Sequence, residues 1–334
     1  MGVWGTGLYS GDFALDLRGS IKAVLRLPFD ADKLLELLSD LEPSAANDPQ
    51  NEDHSTFWMV VADQFAKAGI QSKRVREKAL HIIDSGTDLA MLTKLGMDAA
   101  DLKKRAKMLT SLREFLSAPS RTVRPRKVLK KPQTLVFSPG DVLIYPTSLG
   151  RCRTKISERF QLVPVWQQDA WDAAIIMDTG LAFDFLAWYL PLVLDSPLGE
   201  KPDLDGIRSA RNWSLRRPGT CSAADIRTLG LEKIGTLPLD REKVRRAFPN
   251  TRVGTRAAIE NLSIGRDLSA AHHASAAYVN RTAFPNTPEG EAKFQDMVKQ
   301  VQERLAKVSV YQERVQASQA LKNPIISLLD EVLL

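Results

Sequence analysis

Asp12 and Asp16 stand four residues apart, directly after a glycine-rich opening, MGVWGTGLYSGDFALD. On a helix that spacing puts both carboxylates on one face, where a pair can hold a cation or pass a proton. The same positions in the first turns of a helix also complement the positive end of its dipole, with no chemistry required. Gly5, Gly7 and Gly11 superficially resemble a phosphate-cradling loop, but Gly11 falls one residue late for G-x-G-x-x-G. Ordering glycine-rich chain is costly, so Trp4 and Tyr9 among these glycines predict a packed start rather than a loose tail.

Other chemistry-bearing residues are sparse. The histidines are His54, His81, His272 and His273, and zinc needs three or four ligands at favourable spacing. Side chains of His272 and His273 point apart on a helix, while His81, between Leu80 and Ile82, reads as a partly buried structural residue. Cys152 and Cys221 make neither C-x-x-C spacing nor a disulfide framework, which indicates a reducing compartment. No serine sits in a G-x-S-x-G elbow. The expectation is a chain with no metal, no cofactor and no catalytic residue, leaning away from an enzyme. Trp166, Asp169 and Trp171 in PVWQQDAWD are expected in a loop, where aromatic residues serve as partner-binding anchors or fold back on the core.

Charge is concentrated in one place. The net charge is +6, and residues 119–133, PSRTVRPRKVLKKPQ, hold six basic side chains and no acidic one. Pro119, Pro125 and Pro132 favour an extended hinge over a helix. Arg124, Arg126, Lys127, Lys130 and Lys131 are the candidates for tracking nucleic-acid phosphates, although the segment has no aromatic side chain for stacking on bases.

These residues need elements to position them. At 334 residues the chain exceeds one comfortable core, so more than one domain is expected. Residues 1–118 read as antiparallel helices. Phe13, Leu17, Ile21 and Val24 form one stripe; Leu34, Leu38 and Leu41 form another after Asp30 as N-cap; Phe57, Trp58, Val61 and Phe65 form a third after Ser55. Gly69 ends the third, Ser72 starts a fourth through Val75, Ala79 and Ile82, and a last helix carries Leu102 to Leu116. Residues 43–54 read as a turn-rich loop. After the hinge, TLVF, DVLIYP, AAIIMD and LAFDFLAWY predict strands, with another over Ile226–Leu239 and an exposed loop over 195–222. The fold class is α+β: a helical domain (1–118), a basic hinge (119–133), a small β-rich domain of SH3-like or bent-sheet type (134–285), and a C-terminal helical segment (286–334). In the last, Phe294, Val298, Val301, Leu305 and Val308 form a seam within 288–315, for packing on the chain itself or for a homodimer. The longest apolar run, Leu181–Leu194, is interrupted by Asp184 and Pro191 and is too short for the roughly 20 residues of a spanning helix. No secretory leader is evident, so the expected compartment is the cytoplasm, away from membranes.

The opening MGVWGTGLYSGDFALD, with FWMVVADQFAKAGI and ALHIIDSGTDL, resembles an uncharacterised bacterial family (domain of unknown function 4259) over residues 1–120. Its pattern falls on Trp4, Gly5, Gly7, Asp12, Ala14 and Asp16 and implies no role for them. GDVLIYPTSLGR looks like the first strands of a β-rich immunity domain from polymorphic toxin systems (immunity protein 26 type), through Gly140, Asp141, Pro146, Gly150 and Arg151. The resemblance implies a cytosolic, non-enzymatic protein that covers a partner protein. The alternatives are a nucleic-acid-binding protein using the hinge, and a hydrolase using Asp12 and Asp16.

Overall fold

The computed structural model describes residues 5–118, 126–148, 151–153, 168–249, 258–259, 262, 264, 285–297, 299–300, 303 and 325–334. The chain is α+β and divides into two compact units, Met1–Gln133 and Thr134–Leu334.

The first unit is helical, with α1 Asp12–Val24, α2 Ala31–Leu41, α3 Pro43–Asn47, α4 His54–Lys67, α5 Lys73–Asp84, α6 Thr87–Lys94 and α7 Ala99–Ser117. Phe13, Leu17, Ile21 and Val24 of α1 are buried, as their spacing predicts. Each such side chain contributes about 1.5–3 kcal/mol. Asp30 accepts from the Lys33 amide (2.8 Å) and Ser72 from the Val75 amide (3.3 Å), so both expected caps form. Gly69 takes φ +71, and the Ile70 amide reaches back to Phe65 O, closing α4. Three expectations are corrected. Ser55 is not a cap: α4 begins at His54, and Ser55 is buried inside its first turn. The 43–54 loop contains α3, and α6 follows α5 directly, hinged at Gly86 (φ +70).

The second unit is built on a seven-stranded antiparallel sheet: β1 Asp141–Ser148, β2 Arg151–Cys152, β3 Ala170–Ala182, β4 Leu186–Leu194, β5 Arg211–Leu215, β6 Glu232–Thr236 and β7 Ile325–Leu328. The order is β2-β1-β3-β4-β5-β7, and β6 also pairs with β1. Three short helices intervene: α8 Leu204–Ser209, α9 Ala223–Leu229 and α10 Arg241–Ala247. Both sheet faces are covered. Val142, Ile144, Ile175, Leu192 and Trp213 line one core; Leu143, Tyr145, Ile176, Tyr189 and Val193 line the other. Two-sided burial is why β4 reads as a continuous apolar run instead of an alternating one. Pro191, which lacks an N–H, sits opposite Ile176 where Met177 is the extra residue of a bulge. The β7 edge is blunted by Glu331, whose carboxylate accepts from the Ser327 and Leu328 amides (2.9 and 3.1 Å).

Here too the sequence reading is corrected. TLVF (134–137) is not a strand, although Phe137 is buried. Ile226–Leu239 is the end of α9 and then β6, separated by Gly230 at φ +66. The 195–222 interval contains α8 and β5, and Trp213 on β5 is fully buried, donating Nε1 to Ala210 O (3.1 Å). Residues 288–297 are helical and Phe294 is buried. Val298, Val301, Leu305 and Val308, the rest of the expected seam, lie outside the described residues, as does Gly150.

Candidate functional site

β3 and β4 are longer than their neighbours. β1 meets β3 only over 170–175, and β5 meets β4 only over 192–194. Past these points Asp178–Ala182 pairs with Leu186–Leu190, and the one further bridge joins Tyr189 to Gly219 among the described residues. Among the described residues the outer part of the hairpin is therefore a two-stranded ribbon, and it stays packed: Leu190 and Trp188 belong to one core, Ala187 and Tyr189 to the other, and Leu186 is fully buried. Its outer part is held by Trp188, whose indole lies over Gly180; a Cβ there would stand 2.7 Å from the ring. At the tip the Phe185 amide donates to Ala182 O (3.1 Å), and both central residues are left-handed, Phe183 at φ 52 and Asp184 at φ 61. Such a turn suits the twist of a hairpin but selects Asn-Gly; the left-handed region costs an ordinary residue about 1–2 kcal/mol. Leu181 at the tip is 38% exposed, Phe183 and Phe185 are half-buried, and Asp178 and Asp184 are exposed. The ribbon thus ends on a turn whose residues oppose its geometry, with Leu181 and Asp184 exposed and Ala182 and Leu186 buried.

The partner-binding candidates from the sequence lie toward the other end of β3. Trp171 is on the strand, not in a loop, and is half-buried against the core. Its backbone bridges Leu198 (2.7 Å in both directions), and the Lys201 ammonium, held by Glu232 at 2.7 Å, lies 5.3 Å from its ring centre. Asp169 is exposed, with its amide on Thr147 O (3.0 Å). Trp166 lies outside the described residues. Near this end, Asp203, Leu204 and Ile234 line an open depression of about 410 Å³.

The hinge candidates divide in two. Arg126 donates Nη1 to Leu25 O and Leu27 O (2.7 Å each) and Nη2 to Phe29 O, beside the C-terminal end of α1. The Leu129 amide adds a bond to Arg26 O (2.8 Å). Arg126 thus satisfies the carbonyls of the C-cap residue and of the chain leaving α1. Lys127, Lys130 and Lys131 are exposed outside any helix or strand, the last two at a bend, and Arg124 lies outside the described residues.

The glycine-rich start is packed, as expected. Leu8 is buried, the Gly7 amide donates to Ser10 Oγ (3.1 Å), and Gly7 O accepts from Arg105 Nη1 (2.7 Å). A Cβ on Gly5 or Gly7 would fall 2.9 Å from Ser10 Oγ. Tyr9 lies under the Arg18 guanidinium (4.9 Å) and donates its hydroxyl to Asp63, which also holds Lys67 at 2.7 Å. Burial and the Asp63 carboxylate push the Tyr9 hydroxyl above the ordinary phenol range, so it stays a donor. Asp12 and Asp16 are both exposed on α1, and Trp4 lies outside the described residues.

Several other titratable groups are locked into the fold. Neither cysteine is in a disulfide; burial, then the Asp172 carboxylate, pushes the Cys152 thiol up to about 12, so it is no nucleophile. Tyr145, fully buried, donates to Ile264 O. Asp141 is buried yet holds its charge. Burial alone would raise its carboxyl, but Lys233 (2.7 Å), the Ser138 amide (2.9 Å) and Thr236 (3.0 Å) keep it below the usual range. His81 is exposed, contrary to expectation, and His272 and His273 lie outside the described residues. Among the described residues no group of three or more His, Cys, Asp or Glu is placed to hold a metal ion, and no helix is long and apolar enough to cross a membrane.

His54 is buried, with Nδ1 donating to Ala45 O (2.8 Å) and Nε2 buried without a partner. Burial holds its pKa below 6.5, with Lys78 lowering it further and the Ala45 bond and Asp48 opposing. As pH falls through 6.5 the unfolded chain takes the proton before the folded one, so this group destabilises the helical unit in acid. The expected result is a thermal midpoint that drops between pH 7.5 and 5.5. The drop should be smaller in His54→Asn, which keeps a donor for Ala45 O; equal drops would refute the assignment.

The sequence reading passed over the hairpin tip, because LAFDFLAWY registers as one β-rich run. The available signal was its length, too long for a single short strand, with Asp184 interrupting the apolar run. No protein-family model matches the chain, and no match was found among curated proteins or solved structures.

Proposed function

We propose that this chain is a non-enzymatic protein-binding protein of the bacterial cytoplasm, immunity-like in acting by covering a surface of another protein. The observation that carries the reading is Leu181, 38% exposed beside the left-handed Phe183-Asp184 turn of the β3–β4 hairpin. An exposed leucine beside a turn whose residues oppose its geometry is accounted for by contact with a partner. The likeness of Gly140, Asp141 and Pro146 to the immunity-domain pattern agrees with it. In this reading a helical N-terminal domain is followed, through the basic hinge, by a β-rich domain of bent-sheet or SH3-like type, and the 288–315 helix docks on the chain or on a second copy. The tagged full-length chain, recovered from its native host, should bring down one protein in stoichiometric amount. Repeated recovery of the chain alone would sink the reading.

Nucleic-acid binding is the second reading, supported by the exposure of Lys127, Lys130 and Lys131. It requires retention on DNA that falls steeply with salt and disappears when those lysines are neutralised. The hydrolase reading rests on Asp12 and Asp16 alone.

A further inference from the structure

We infer that the helical unit carries a track for the phosphate backbone of a nucleic-acid duplex, formed by Arg18, Lys22 and Arg26 together with Lys127, Lys130 and Lys131 of the hinge. This rests on the nucleic-acid reading, enlarges its surface from the hinge to α1, and is independent of the hairpin.

Two sets of cations about a hundred positions apart in sequence are brought to one place. Arg18 and Lys22 are a turn apart on α1, and Arg26 follows a turn later, just past the helix end. Lys22 and Arg26 are exposed. At about 1.5 Å per residue, the three span about 12 Å along the axis. Arg126 ties the hinge to this same end by donating to Leu25 O, Leu27 O and Phe29 O, and the Leu129 amide bonds Arg26 O itself (2.8 Å). Lys127 and Lys130 are the chain neighbours of those two anchors. The hinge lysines therefore stand beside the end of the α1 row.

This charge is not neutralised within the fold. Lys33, Lys73 and Lys104 of the same unit pair with Glu36, Glu77 and Asp101, whereas none of the six track cations pairs with a described carboxylate. At about 100° per residue, Asp12 and Asp16 fall on the far flank of the exposed face of α1. Asp30 is engaged as the N-cap of α2. Arg18 is fixed by its stack on Tyr9 (4.9 Å), which leaves its Nη donors for a phosphate. That stack occupies a face of the Tyr9 ring, and the hinge has no aromatic side chain. The row accordingly suits a duplex backbone better than the bases of a single strand. Lipid surfaces also attract basic segments, but an interfacial element needs an apolar face, and residues 126–131 expose one apolar side chain, Val128.

The test is binding of the full chain to a labelled DNA duplex of random sequence, read by anisotropy across a salt series, with an RNA duplex as the second arm. Either duplex satisfies the inference, and the stronger one names the source. Six phosphate contacts give a log–log salt slope of about −5. Lys22→Gln/Arg26→Gln should leave the thermal midpoint unchanged, weaken binding about tenfold and flatten the slope by about two. Lys127→Gln/Lys130→Gln/Lys131→Gln should flatten it by about three. Lys103→Gln/Lys107→Gln removes two charges from exposed positions on α7 and should change neither affinity nor slope. Four outcomes overturn the inference. Parental affinity in the α1 variant, with loss in the hinge variant, confines binding to the hinge and leaves the nucleic-acid reading standing. Equal weakening by the α7 variant reduces the effect to net charge. Binding to phosphatidylglycerol vesicles and to neither duplex assigns the row to lipid. Absence of binding to any of these at low salt removes the track and the nucleic-acid reading together.

Discussion

Replacing Arg105 by Met is expected to destabilise the helical unit by about 3–5 kcal/mol, the range for breaking one partner of a buried ion pair. Arg105 projects from α7 and donates Nε and Nη2 to the two oxygens of Asp88 on α6, at 2.9 and 3.0 Å. Both side chains are at most 6% exposed, so neither charge can fall back on water. The third donor, Nη1, holds Gly7 O. One guanidinium therefore joins α6, α7 and the glycine-rich start. Methionine matches the length of the side chain but leaves the Asp88 carboxylate and the Gly7 carbonyl in a dry site without donors. Two measurements check this. Thermal or urea unfolding should show the loss, and hydrogen exchange at the Leu8 to Ser10 amides should accelerate because the start is no longer pinned. An Asp88→Leu/Arg105→Met double variant should recover most of the loss, since the penalty belongs to the uncompensated charge and not to the missing pair. A single variant within 1 kcal/mol of the parent would show that the pair is solvated after all.

Features that depend on neighbours along the chain were legible beforehand. The α1 stripe, the Asp30 and Ser72 caps and the stop at Gly69 each follow from a spacing or a terminus rule, and each appears. Features set by residues distant in sequence were not. Arg126 meets carbonyls roughly a hundred positions away, at Leu25, Leu27 and Phe29, and nothing in PRKVLKK distinguishes it from the lysines that stay exposed. Ser55 fails as a cap because α4 is buried on nearly all sides, so packing, rather than capping, sets where it begins. The interval around Trp213 is rich in Pro, Gly and charge and reads as a loop, yet a five-residue strand is enough to carry one indole into the core. At the hairpin tip the rules pointed away from the answer: Phe-Asp is poor turn chemistry, and only backbone angles disclose that it forms a turn. The site candidate is therefore the part of the chain where local preference and final structure disagree.

Gly140→Ala is expected to destabilise the sheet unit by about 3 kcal/mol, combining left-handed strain with loss of the bonds on both sides of the residue. Gly140 takes φ +91, and an ideal Cβ would stand 2.3 Å from Leu237 O, a backbone atom that no rotamer change can move aside. That close approach exists because Gly140 is tied in two directions. Its amide donates to Ile176 O (2.7 Å), and its carbonyl accepts from the Leu237 amide (2.9 Å). Opening the contact shifts β6 away from β1 and withdraws Lys233 and Thr236 from Asp141, which would leave a buried carboxylate less compensated. The damage should accordingly appear as an unfolding transition less sensitive to acid than the parent's, since Asp141 loses two of the donors that hold it ionised and keeps the Ser138 amide. A folded pKa below the unfolded one stabilises above the carboxylate range and is lost as pH falls; the variant should lose part of that stabilisation at neutral pH. Gly19→Ala is the matched control. Gly19 lies within α1 with nothing within 4 Å of an added Cβ, so alanine there should stabilise by about 0.5–1 kcal/mol through helix propensity. Opposite signs for the same chemical change distinguish close approach from a general response to added methyl groups; if Gly140→Ala matched Gly19→Ala, the β1–β6 contact would not be the constraint inferred from its geometry.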